Sequence, residues 1–182
     1  MIVWPTIVVS TPDCHEHFRL QEPDRADAER LHALFSEAAV TRHIPPPPSS
    51  VAAWKAWISA TRGRPAGAVM AAFAVVRRAT DDEIAGLVQI ATCPDEPGAL
   101  MWGLVLAERF WGTGLFDATA RAAVDVARKQ FHATSFRAWI AADNARAVAA
   151  FRRLPETIVT RAHDTLCPDG RRGDFVIATI RF

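Results

Sequence analysis

The stretch Gly98–Gln130 constrains this chain most, because an apolar run, a glycine turn and an amphipathic segment follow one another there without a break. Ala99 to Leu106 reads Ala-Leu-Met-Trp-Gly-Leu-Val-Leu, the length and composition of a buried strand. The turn is Arg109-Phe110-Trp111-Gly112-Thr113-Gly114. From Leu115 to about Gln130 the polar residues Asp117, Arg121, Asp125 and Arg128 recur three or four apart. Side chains at that spacing share a helix face, so the pattern predicts a helix with this stripe in water and Ala118, Ala122, Ala123 and Val126 toward a core.

A strand that enters a helix through glycines suggests an anion site. The first helical N–H groups have no partner within the helix, and the helix dipole is positive at that end. Gly112 and Gly114, lacking Cβ, permit left-handed backbone and close approach of phosphate oxygens. The nucleotide P-loop, Gly-x-x-x-x-Gly-Lys-Ser/Thr, occurs nowhere in the chain. The dinucleotide fingerprint Gly-x-Gly-x-x-Gly fails because its third position holds Asp117.

What remains is Arg109-x-x-Gly112-x-Gly114 directly after an apolar strand. It is followed by Asp143-Asn144-Ala145-Arg146-Ala147-Val148-Ala149-Ala150-Phe151 after the strand-like Phe136–Ala141. The first motif matches the Gln/Arg-x-x-Gly-x-Gly/Ala signature of the GNAT superfamily of acyl-CoA-dependent N-acetyltransferases, and the second resembles that family's Asn-x-x-Ala/Ser helix. The order of elements from about Glu16 to Phe182 is similar to the branch containing the ribosomal-protein N-terminal acetyltransferases.

The resemblance implies an α/β (α+β) domain spanning 1–182. Its central sheet is mixed and mostly antiparallel, splayed between the fourth and fifth core strands, with helices on both faces. It implies acetyl-CoA as co-substrate, lying in the V between the strand of Gly103–Leu106 and that of Phe136–Ala141. Leu104, Val105 and Leu106 would pair with the pantetheine amides. The amides of Trp111, Gly112, Thr113, Gly114 and Leu115 would hold the pyrophosphate, with Arg109 adding a charge-assisted bond. The N–H of Val105 or Leu106 would polarise the thioester carbonyl, and the Asn144 amide would contact the pantetheine arm beside its role as a helix N-cap. The loop between the first two helices walls the acceptor in such folds, so Arg42, His43, Trp54 and Trp57 are candidate contacts for a small-molecule or peptide amine; the tryptophans serve core packing equally well.

Acetyl transfer to an amine needs a proton acceptor and a proton source for the departing thiolate. Here the chain departs from its relatives. It contains no tyrosine, and Phe151 and Ala147 stand where the family carries Tyr or Ser. The positions before Gly103 carry no Glu either, which leaves Glu83, Glu96, His43 and His163 as candidate bases, Cys167 as a candidate acid, or water. A catalytically weak or inactive acyl-CoA-binding module is the alternative.

Composition narrows the surroundings of this reading. A chain of 182 residues can bury about 70% of its unfolded surface, sufficient for one core. A formal net charge of +1 supplies no field for nucleic acid or an anionic membrane. Cys14, Cys93 and Cys167 are odd in number and widely spaced, which points to free thiols and to no metal. With neither a long apolar run nor a secretion signal at Met1–Pro5, the expectation is a cytoplasmic protein, open to homodimerisation.

The remaining elements follow from periodicity. Strands are predicted at Ile2–Val9, Glu16–Gln21, Ala68–Arg77, Glu83–Thr92, Ser135–Ala141, Thr157–Ala162 and Asp174–Ile180. A helix capped by Asp24 runs toward Ala38, another covers Val51–Thr61 after Ser49 or Ser50, and a third covers Asn144–Leu154. Pro45–Pro48 form a stiff connector between the first two helices. The doublets Arg77-Arg78, Arg152-Arg153 and Arg171-Arg172 read mainly as surface charge, with Arg152 or Arg153 able to approach the cofactor's adenosine phosphate.

Overall fold

The structure, a computed structural model, describes residues 2–11, 14–62, 71–93 and 96–182. Its strands are β1 (Thr6–Thr11), β2 (Cys14–Gln21), β3 (Ala71–Arg78), β4 (Ile84–Thr92), β5 (Ala99–Leu106), β6 (Ser135–Ala141), β7 (Thr157–Leu166) and β8 (Arg172–Arg181). The α-helices are α1 (Ala28–Leu34), α2 (Ala38–Thr41), α3 (Val51–Thr61), α4 (Leu115–Gln130) and α5 (Ala145–Arg152). Ala68–Met70 of the expected third strand, and Pro12-Asp13 of the first turn, lie outside the described residues.

All eight strands join one sheet in the order β1-β2-β3-β4-β5-β6-β8-β7, antiparallel except where β5 meets β6. A parallel pair needs a crossover, and α4 provides it. Both sheet faces are covered at β4, where Ile84, Ala85, Gly86, Leu87 and Val88 are all buried although neighbouring strand residues point to opposite faces. α1 and α3 pack on each other and on β4 and β3, α4 crosses β1, β4 and β5, and α5 lies against β7 and β8.

The β5–β6 pairing is short. It joins Ala99 to Ser135, Leu100 to Phe136 and Met101 to Arg137, and then stops. β5 continues to Leu106 paired only with β4, and β6 continues to Ala141 paired only with β8. The sheet therefore opens into a V on the side of Leu104 and Ala141. Trp102, the first residue past the junction, is wedged among Phe136 of β6, Phe116 of α4 and Phe151 of α5, with ring centroids 5.1, 6.3 and 5.0 Å away.

Three local features depart from the periodicity. The first helical stretch breaks at Glu37, whose extended ψ of 116° separates α1 from α2. The helix expected from the Asp24 cap begins as a 3-10 turn, Arg25–Asp27, before α1, and a capping box holds that turn: Asp24 Oδ1 accepts from Ala26 N–H at 3.1 Å, and Asp27 Oδ2 accepts from Asp24 N–H at 2.8 Å. β7 runs to Leu166, beyond Ala162, through a bulge at which Asp164 takes φ +44° and pairs with Arg172 through both carboxylate oxygens at 2.8 Å.

Two residues expected near an acceptor are core instead. Trp54 is buried between Phe35 and Trp57, with centroids 5.0 and 5.2 Å away, and Trp57 packs on Phe73 at 4.5 Å. Their spacing of three puts both on the helix face that meets α1 and β3. The Arg77-Arg78 doublet is likewise not simple surface charge. Arg77 is buried against Asp27, also buried, and donates to Asp82 at 2.9 Å. A buried guanidinium requires such partners.

Candidate active site

The V is lined by backbone whose polarity follows from register. In an antiparallel ladder, alternate residues turn both N–H and C=O to the same neighbour. Ala107 N–H donates to Ala85 O at 2.9 Å, and Cys93 N–H donates to Ala99 O at 3.1 Å, so the odd-numbered residues of β5 address β4. Leu104 and Leu106 therefore turn their backbone groups into the gap. The expectation that Val105 offers its N–H there is corrected by one residue: Val105 is paired with Leu87. Leu106 O already accepts from the Trp111 indole Nε1–H at 2.9 Å, as this alternation requires.

Beyond Leu106, a 3-10 turn at Glu108–Phe110 leads to Gly112 at φ +78° and Gly114 at φ +86°. Both are left-handed, where a side chain would strain the backbone. Gly114 is the N-cap of α4 and offers no side chain to its first amides. Thr113 Oγ1 donates to Phe110 O at 2.9 Å, stiffening the turn. Arg109 points elsewhere: its guanidinium pairs with Glu83 and lies 5.2 Å from the Phe110 ring. Glu83 also holds Arg78, so that carboxylate is committed to an ion network.

α5 forms the opposite wall. Asn144 Oδ1 accepts from Ala147 N–H at 3.2 Å and caps the helix. Replacing Asn144 by alanine is expected to cost about 1 kcal/mol, a fall in Tm of roughly 2–4 °C for a chain of this size. Thermal denaturation checks this; an unchanged Tm would mean that the cap contributes nothing. Two residues on, Arg146 reaches across the V and places its guanidinium carbon 3.1 Å from the centre of the Trp111 ring. Burial lowers the pKa of Arg146, partly opposed by the field of Glu108.

Between these walls lies a cleft of about 320 Å³. Of the residues expected from sequence it brings together Leu104, Val105, Leu106, Trp111, Gly112, Asn144, Phe151 and His43. Sequence reasoning did not single out Val40, Ile44, Phe116, Arg146, Ala149 or Ala150 for this cleft. Arg153, expected near the adenosine phosphate, lines it as well. Arg146, Ala150 and Arg153 follow one another at intervals of four and three, the helical stripe that could have revealed them.

A family profile described as "Acetyltransferase (GNAT) domain" matches residues 17–154. The chain belongs to the GNAT acetyltransferase family. N-acetylation of amines by acetyl-CoA is the general reaction of GNAT enzymes. RimJ of Mycobacterium smegmatis, in complex with a CoA disulfide, shares the fold with a TM-score of 0.77 and 15% identity, over 97% of this chain and 87% of that one. RimL, a ribosomal L7/L12 alpha-N-protein acetyltransferase in complex with coenzyme A, gives 0.73 and 18% over 98% of both chains. A chimera of the Vibrio cholerae spermidine N-acetyltransferase SpeG with hSSAT gives 0.71 and 16%, over 90% and 95%. No curated protein matches the chain by sequence.

Within this GNAT fold, several candidate residues stand away from the cleft. Glu96 is tied to Arg137 and accepts from Ser135 Oγ at 3.4 Å, beside the closed end of the V. His163 is exposed on β7 beside Asp174 at 3.4 Å. Arg42, Thr113, Gly114 and Leu115 are not among the cleft-lining residues. Leu115 N–H points to Thr113 Oγ1 at 3.4 Å. Cys93 and Cys167 are free thiols; burial pushes the Cys167 thiol above its usual pKa, and Cys167 is not among the described residues that line the cleft. Among the described residues, no group of three or more His, Cys, Asp or Glu could hold a metal ion, and no helix is long and apolar enough to cross a membrane.

Proposed function

We propose that this chain moves the acetyl group of acetyl-CoA to a primary amine, a protein N-terminus or a small-molecule amine, by direct attack of the amine on the thioester. The observation that carries the reading is the unpaired edge of β5 ending in a left-handed glycine turn. Leu104 and Leu106 offer strand hydrogen-bonding groups to the gap, and the turn supplies the amides of Gly112 and the start of α4, while the Trp111 N–H donates to Glu108 O at 3.0 Å. This donor set fits an extended arm carrying amides and ending in a pyrophosphate.

The residues divide the work. The Leu104 and Leu106 edge would pair with the pantetheine, and one of those N–H groups would polarise the thioester carbonyl. Gly112 and its neighbours would hold the pyrophosphate. Arg109 is engaged by Glu83, so the charge would come from Arg146 and Arg153, which line the cleft. To expose Leu106 O, the Trp111 indole must release it. When bound, acetyl-CoA supplies the activated acyl group.

Calorimetric titration with acetyl-CoA, with dephospho-CoA and ATP as controls, tests the assignment. The expected result is binding of acetyl-CoA that exceeds ATP by about tenfold or more, 1.4 kcal/mol. Absence of acetyl-CoA binding would overturn it. A second reading, an acyl-CoA-binding module of little or no activity, is favoured by the absence of carboxylate, Tyr, Ser and Cys among the described residues that line the cleft. Thiol release in the presence of a peptide with a free N-terminus, spermidine and an aminoglycoside separates the two.

A further inference from the structure

We infer that His43 is the group that takes the proton from the acceptor amine, with Asp143 as its positioning residue; this rests on the transferase reading above. Among the described residues lining the cleft, the side chains that titrate are His43, Arg146 and Arg153. The two guanidinium groups stay charged at any ordinary pH, which leaves the imidazole as the side chain able to accept a proton there.

Its placement suits the task. His43 lies in the connection between α2 and α3, largely buried, and its Nδ1 is 3.3 Å from Asp143 Oδ1. A carboxylate on that side favours the tautomer with hydrogen on Nδ1 and leaves the Nε2 lone pair free. The backbone of His43 is fixed as well: its carbonyl accepts from Arg171 Nη1 at 2.8 Å, and Arg171 is clamped by Asp169 at 2.7 and 2.9 Å. Burial alone would raise the Asp169 pKa, but the hydrogen bonds from Arg171 hold that carboxyl below its usual range. The last hairpin thus pins the connection, while Asp143, next to the cap residue Asn144, ties the ring to the start of α5.

The step balances with groups already named. The amine lone pair forms the C–N bond to the acetyl carbon. The C–S bond breaks with its electron pair on sulfur. The proton shed by nitrogen passes to His43 Nε2 and then to the thiolate. The products are the amide and the free thiol, and the imidazole returns neutral.

Two measurements test this. In the first, diethyl pyrocarbonate, which attacks neutral imidazole, is mapped by mass spectrometry on the wild-type protein. Modification of His43 that acetyl-CoA suppresses is the expected result; no modification, or modification indifferent to acetyl-CoA, overturns the orientation of Nε2 into the cleft. In the second, His43→Ala and His43→Gln are assayed with whichever of the three amines the wild type acetylates. Loss of a general base predicts a fall in kcat of about 10²-fold or more, with calorimetric acetyl-CoA affinity within about threefold of wild type and partial rescue of His43→Ala by added imidazole. A kcat within about threefold of wild type overturns the inference and leaves the transferase reading intact. So does a loss of rate that follows a loss of acetyl-CoA affinity and ignores imidazole. A wild type that binds acetyl-CoA but acetylates none of the amines overturns the transferase reading, and this inference with it.

Discussion

Trp102→Ala is expected to destabilise the protein by about 3–5 kcal/mol, a fall in Tm of roughly 6–20 °C. Trp102 is buried where β5 and β6 part, stacked 8° from coplanar with Phe136 and in contact with Phe116 and Phe151. Those rings belong to β6, α4 and α5, so one indole holds apart the elements that frame the V. An alanine there leaves a cavity too deep in the sheet to collapse without moving a wall. Because Phe116 and Phe151 also line the cleft, acetyl-CoA affinity should fall with stability. Trp102→Phe keeps an aromatic face and should lose less on both counts. Thermal denaturation and calorimetry of the two variants check this, and a Tm within about 3 °C of wild type for the alanine variant would sink the wedge assignment.

How much of this was legible in the sequence depends on the range of the determining interaction. The β5–turn–α4 unit was plain because strand, glycines and helical stripe are all local signals. The same holds for the Asp24 and Ser50 caps, both of which accept a first-turn amide. The roles of Arg77 and Arg109 were not legible, since their partners Asp27 and Glu83 lie 50 and 26 positions away. The extension of β7 from Ala162 to Leu166 was not legible because this is an edge strand with few buried residues, so its pattern lacks clean alternation.

The site shows the same division. Gly112 and Asn144 could be found by type and spacing, but choosing Leu104 and Leu106 over Val105 required the phase of the β4–β5 ladder. β5 is apolar along both faces, so hydrophobic alternation carries no phase there. Arg146 was passed over because a charge in the first turn of a helix reads as solvated until something shows what it reaches across to. Trp54 and Trp57 share a helix face as their spacing requires, but that face meets α1 and β3 and not the cleft.

Gly112→Val is expected to weaken acetyl-CoA binding roughly ten- to hundredfold. A residue branched at Cβ is strained at φ +78°, by about 1–3 kcal/mol, and that energy is recovered only if the turn rearranges and its amides leave their present directions. Nothing lies within 4 Å of where a Cβ would stand, so the folded chain has room for the side chain and loses little core packing. Gly112 lines the cleft, so on the proposed assignment the added side chain would also take up ligand space. Gly112→Asn separates the two causes, because asparagine tolerates left-handed backbone while still adding a side chain. If amide direction decides, Asn keeps most of the affinity that Val loses; if bulk decides, both lose it alike. Wild-type affinity in Gly112→Val would remove the turn from the pyrophosphate site and leave Arg146 and Arg153, among the described residues of the cleft, as the guanidinium groups to which such a ligand could be assigned.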